Sequence, residues 1–145
     1  MRLSVSAGFW LALGGFWLLD RWGTLPPFLL AAALHEAAHL AALRALGIPV
    51  RGLELRAAGA VIRAKLPGDR REALALGAGP GANLLLAAIF WRPWRLFGLC
   101  NLLLGLWNLL PLPGRDGARL LRLWKRKRIQ QEAKSTEGLA KTPRG

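Results

Sequence analysis

Residues 33–40 read ALHEAAHL. The chain's only two histidines, His35 and His39, stand four residues apart here, with Glu36 directly after the first. From Pro26 to Leu46 the surroundings are apolar except for Arg44. On a helix, positions four apart share a face. The two ring nitrogens can therefore converge on one metal ion, and Glu36 can reach a water there without being a ligand itself. Exposed histidine pairs at this spacing occur on soluble helices without any such role. The apolar setting argues for function here, because an acid and two imidazoles in a span built for lipid are costly and mark a site by default.

Working outward, four stretches have the roughly 20 mostly apolar residues that a membrane-crossing helix needs. They cover residues 3–22, 26–46, 72–91 and 95–114. The first lacks a strongly basic start and a small-x-small cleavage site, so it reads as a retained helix rather than a signal peptide. The chain is 53% hydrophobic, yet its formal net charge is +13. The basic residues lie in blocks between the apolar runs. With a cytoplasmic N-terminus and four spans, one side holds Arg2, the seven Lys/Arg from Arg44 to Arg71 and the ten from Arg115 to Arg144. The other side holds only Arg21, Arg92 and Arg95. That asymmetry follows the positive-inside rule, and Trp22, Trp91 and Trp94 fall at the outer boundary as an aromatic belt does. The reading is a multi-pass cell-membrane protein with both termini cytoplasmic. Bases that flank spans, with no recognition motif beside them, argue against a nucleic-acid partner.

Between the second and third spans, residues 48–66 change period. Leu53 and Leu55 alternate with Glu54 and Arg56, and Ile62, Ala64 and Leu66 alternate with Arg63 and Lys65. Period-two alternation around Ala57-Ala58-Gly59 predicts a β-hairpin with one apolar face; the competing reading is an irregular basic loop. The third span carries GAGPGAN, residues 77–83. Its small residues and proline predict either a broken helix or close helix packing. The fourth ends in WNLLPLPGRDGARLL, residues 107–121, where Pro111 and Pro113 predict an unwound stretch before Asp116 and a new helix. The fold class is therefore mainly α and polytopic, in one domain over 1–125. A basic, disordered cytoplasmic tail is expected over 126–145.

A catalytic zinc takes three protein ligands and keeps one position open. His39 lies about 10 Å from the inner end of its span at 1.5 Å per residue, the depth at which the fourth span gives way to Asp116. Cys100 is the other possible third ligand, but it sits toward the outer half and reads more simply as a small buried hydrophobe. Asp116 could instead cap the helix that follows it.

HEAAH on an early span, GPGAN on the next and NLLPLPGRDG after the last together resemble the site-2 protease family of intramembrane zinc metalloproteases. The order and spacing are similar to its small prokaryotic branch, which includes the sporulation sigma-factor processing protease. The resemblance runs from Pro26 to Leu121. It implies one Zn2+ held by His35, His39 and Asp116, with Glu36 as the general base. Asn83 and Asn108 would contact the substrate backbone, and the strands at 48–66 would present an edge to an unwound substrate. It also implies hydrolysis of a peptide bond in or near the transmembrane segment of a membrane-tethered substrate, such as a transcription-factor precursor or anti-sigma factor. Two positions depart from the family pattern. Arg115 stands where an apolar residue usually precedes Asp-Gly, and Ala118 stands where a second glycine often follows. A non-proteolytic zinc protein of the same fold, or a membrane scaffold acting through its basic tail, remains an alternative. The sequence leaves homo-oligomerisation open.

Overall fold

In a computed structural model, the chain is described over residues 2–57, 59–68 and 70–140. The order is β1 (Arg2–Val5), α1 (Ala7–Leu19), α2 (Leu25–Ala45), β2 (Val50–Arg56), β3 (Gly59–Ala64), α3 (Arg70–Phe90), α4 (Arg95–Leu109) and α5 (Asp116–Ala140). The expected mainly helical class is present, and α2, α3 and α4 pack on one another as the central bundle.

The start of α2 is fixed by Asp20. Its carboxylate accepts from the Thr24 and Leu25 backbone N–H groups at 2.9 and 2.8 Å and from the Thr24 hydroxyl at 2.7 Å. Pro26 and Pro27 follow in the first turn, where a missing N–H costs nothing. At the other end Gly47 takes φ 68°, and Ile48 N–H closes on Leu43 O at 2.8 Å. This left-handed stop delivers the chain to the sheet. Every fourth residue of α2 (Ala31, His35, His39, Leu43) is buried, so the helix turns its two histidines inward.

β2 and β3 form the antiparallel hairpin, with Leu53 opposite Ile62 and an irregularity between Val50 and Gly52. Ala58 of its expected turn lies outside the described residues. The sheet has a third strand that the sequence reading missed. Arg2–Val5 pairs parallel with Gly52–Leu55, so the first helix begins at Ala7 rather than residue 3. Leu3 and Val5 alternate with Arg2 and Ser4, but four residues at the head of an apolar run read as part of that run. Ser6 then caps α1, accepting from Phe9 N–H at 3.3 Å.

Two helices, α2 and α3, are long and apolar enough to cross a membrane by length and composition. The other two apolar helices are shorter: α1 has 13 residues and α4 has 15. None of α1 is buried, and its Trp10, Phe16, Trp17 and Leu18 side chains are exposed.

The GAGPGAN segment does not break its helix. α3 runs unbroken through Pro80, and the small residues serve close packing. A Cβ at Gly105 of α4 would sit 3.2 Å from Asn83 Cβ and 3.3 Å from Leu84 side-chain atoms. The expected break does occur after α4. Leu110 is extended, with ψ 142°, and the chain re-enters a helix at Asp116. That helix continues to Ala140, through the region where a disordered tail was expected. Its Lys, Arg, Gln, Glu and Ala are good helix formers, and Arg128 pairs with Glu132 one turn on at 3.0 Å. Residues 141–145 of that tail lie outside the described residues.

Candidate metal centre

Three elements bring three ligand atoms together. His35 and His39 come from α2, and Asp116 opens α5. The two Nε2 atoms are 3.1 Å apart. Asp116 Oδ2 lies 3.3 Å from His35 Nε2 and 3.2 Å from His39 Nε2. The side chains of His35 and His39 are 5% and 9% exposed and that of Asp116 is 13% exposed, so water does little to screen the group.

The outer ring nitrogens decide what this cluster is. His39 Nδ1 lies 2.7 Å from the Ala75 carbonyl, and His35 Nδ1 lies 2.6 Å from Asn83 Oδ1. A carbonyl oxygen only accepts, so both Nδ1 atoms carry the proton and both neutral rings present an Nε2 lone pair. Two lone pairs and a carboxylate oxygen thus converge with no hydrogen-bond donor among them. Such a set holds together only around a proton or a cation. Ligands at about 2.0–2.1 Å from a tetrahedral zinc stand about 3.3 Å apart, which matches the 3.1–3.3 Å seen here. The donor set therefore fits zinc, and His35, His39 and Asp116 are the residues that could hold it.

The GPGAN segment places α3 against these rings. Ala75, Gly79 and Asn83 are four apart and share a face. Ala75 O and Asn83 Oδ1 receive the two Nδ1 protons, and Gly79 lies between them. A methyl group at 79 would overlap His39 Nε2. Pro80 lacks the N–H that would close on Leu76, so the helix ladder is open at the Leu76 carbonyl. Gly117 has a similar function for the third ligand, since a Cβ there would overlap the Leu109 carbonyl. A side chain at 117 would force the start of α5, and Asp116 with it, to shift away from Leu109. Ala118 is buried and accommodated.

Glu36 and Asn108 line the same cavity as His35, His39 and Asp116. The cavity holds about 1030 Å³ and runs from the His35–His39–Asp116 group to the hairpin, α1 and α4, with Leu53, Ile62, Phe16 and Leu103 among its apolar walls. Asn108 is also tied to its own helix, its Nδ2 donating to Leu104 O at 3.0 Å. Asn83, expected on the substrate backbone, is 0% exposed, and its Oδ1 faces His35 Nδ1. Arg115, the unexpected neighbour of Asp116, lays its guanidinium over the Trp107 ring, 5.0 Å from the centroid. Its charge is thereby held on an aromatic face rather than on the Asp116 carboxylate. Sequence reasoning missed Gly79 and Gly117 as site residues, although Gly79 stands one turn before Asn83 and Gly117 directly after Asp116. It also missed Asn101, whose Oδ1 accepts from Asn83 Nδ2 at 2.9 Å.

No protein-family model matches the chain. It is 36% identical, over a 136-residue alignment covering 77% of its length, to the Mycobacterium tuberculosis protein named "Putative zinc metalloprotease Rip3", in each of two strains. That alignment covers 33% of the relative, so the chain spans about a third of the length of the curated relatives it matches. The fold is similar to that of the "Site-2 Protease from Methanocaldococcus jannaschii", with TM-score 0.72 and 21% identity over 88% of this chain and 69% of that one.

Proposed function

The chain belongs to the site-2 protease family, and from that premise we propose that it is an intramembrane zinc metalloprotease. In this reading it hydrolyses a peptide bond in or beside the transmembrane segment of a membrane-tethered protein. The observation that carries the proposal is the convergence of His35 Nε2, His39 Nε2 and Asp116 Oδ2 within 3.3 Å at the wall of a cavity that Glu36 also lines.

A zinc ion bound there would act as a Lewis acid on the scissile carbonyl and acidify a water. The chain's own residues do the rest. Glu36, one position after His35 on α2, takes the proton of the attacking water and returns it to the leaving amine. Asn108 lines the cavity beside His35, His39 and Asp116 and in this reading holds substrate backbone. A helical substrate hides its carbonyls in its own hydrogen bonds and must unwind to be cut. Among the described residues the sheet order β1-β2-β3 leaves one edge of β3 unpaired, and Gly59, Ala60 and Val61 of that strand line the cavity. Strand addition there offsets the lost helix bonds.

We read α1 and α4 as membrane spans together with α2 and α3. α4 gains length from the non-helical residues 110–113 that follow it, with Leu110 extended, and α1 exposes Trp10, Leu11, Trp17 and Leu18. In this reading the pairing of β1 with β2 supports an N-terminus on the hairpin's side of the membrane, the side to which the positive-inside rule would give the basic residues. Arg115 is the one feature that favours the rival reading of a non-proteolytic zinc protein, and its guanidinium lies over the Trp107 ring.

The test is co-expression with single-span candidate substrates, including membrane-tethered transcription-factor precursors and anti-sigma factors, with the product ends mapped. A cut within or about one helical turn from the span is expected. Cuts confined to soluble regions, equally present without this chain, would refute the reading.

A further inference from the structure

Asn83 can fix the tautomer of His35 only if its own amide cannot flip. Flipped, Asn83 would offer Nδ2–H to His35 Nδ1, and the ring proton would move to Nε2, where a metal must bind. The amide's orientation is set one residue further on. Asn83 Nδ2 lies 2.9 Å from Asn101 Oδ1 and 3.4 Å from the Ala31 carbonyl. Asn101 in turn donates through Nδ2 to the Phe97 carbonyl at 2.9 Å, one turn back on α4. Phe97 O can only accept, and this sets the direction of the whole chain. Asn101 must turn its NH2 to Phe97 and its oxygen to Asn83. Asn83 must then turn its NH2 to Asn101 and its oxygen to His35.

Both asparagines are 0% exposed, and Phe97 is 1% exposed, so water cannot substitute for any member. Phe97 is itself held between Trp94, stacked at 4.7 Å, and Phe90, edge-on at 5.1 Å. We infer that Asn101 is a positioning residue for the metal centre, reaching His35 through Asn83 and holding its Nε2 open for the metal. It touches neither the cavity nor the ligands. An uncharged amide buried at membrane depth is expensive, and this orienting role accounts for its presence there.

The inference rests on the zinc-protease reading, so its test measures metal binding without relying on cleavage. Full-length Asn101→Leu and Asn101→Asp are purified and compared with wild type by zinc competition against a chromophoric chelator and by the visible spectrum of the cobalt-loaded protein. The leucine removes the acceptor for Asn83, whereas the aspartate keeps it. Asn101→Leu is expected to bind zinc about 10–100-fold more weakly with a shifted cobalt spectrum. Asn101→Asp is expected to retain the wild-type spectrum and to bind more tightly than the leucine variant. If the leucine variant is not recovered, Asn101→Ala takes its place. Wild-type affinity and spectrum in the variant lacking the acceptor would overturn the inference. So would equal loss in the aspartate variant, which would point to packing alone. A wild-type protein that takes up neither metal would instead overturn the zinc reading on which the inference stands.

Discussion

His39 and Gly79 are in contact across the α2–α3 interface, and the contact leaves no space for a side chain at position 79. A methyl group on residue 79 would overlap the Nε2 atom that faces Asp116. Gly79→Ala is therefore predicted to push the His39 ring off its Ala75 anchor. Zinc affinity should fall at least about tenfold, the scale at which lost support of a metal ligand is felt. Chelator competition on purified protein measures this, and an unchanged affinity would show that the ring has room the structure denies it.

Gly117 makes the corresponding prediction for the third ligand. The atoms its Cβ would meet are backbone carbonyl atoms of Leu109 and Leu110, which cannot rotate away. Gly117→Ala should cost on the order of 1–3 kcal/mol, as overpacking typically does, and should weaken zinc binding by displacing Asp116. Thermal melts with and without zinc separate the two effects. A variant with the wild-type melting temperature in both states contradicts the assignment.

Arg115 is predicted to be harmless only while Trp107 holds it. Arg115→Gln should leave zinc affinity close to wild type. Trp107→Ala frees the guanidinium to compete for Asp116 and should weaken zinc up to about tenfold, the upper range of a partly desolvated cation–π contact. Adding Arg115→Gln to Trp107→Ala should restore binding. A double variant as weak as Trp107→Ala alone would put the loss down to packing.

Acid should affect the hairpin late. Hydrogen bonds from Arg56 and then Arg63 hold the Glu54 carboxyl down at about 2, with contacts of 2.9 and 2.7 Å. Its folded value lies below its unfolded one. The stabilisation it gives is thus fully present above the ordinary glutamate range near 4.3 and is lost as pH falls toward about 2. An NMR titration of the Glu54 carboxyl in detergent should find its midpoint near the lower value. A midpoint near 4 would mean that the two arginines point elsewhere.

Local patterns made much of this legible in the sequence. The i, i+4 spacing of His35 and His39 fixed their shared face, period-two alternation marked β2 and β3, and Pro111 and Pro113 marked the break before Asp116. The rest depends on which surfaces meet across helices, which spacing along one helix does not reveal. Pro80 looked like a helix breaker, yet α3 continues because its close packing on α2 and α4 outweighs one missing hydrogen bond. Asn83 is given to the substrate backbone by its place in the family resemblance, and its bond to His35, 48 residues away, is invisible to spacing along one helix. β1 was hidden because a four-residue strand is defined by the edge it joins.

Metal content and cleavage, measured together on wild type, His35→Ala and Glu36→Gln, test the central claim most directly. The account predicts one zinc per chain in the wild type and in Glu36→Gln, little or none in His35→Ala, and cutting of a membrane-tethered substrate by the wild type alone. Wild-type cleavage by Glu36→Gln, or full zinc in His35→Ala, would contradict it.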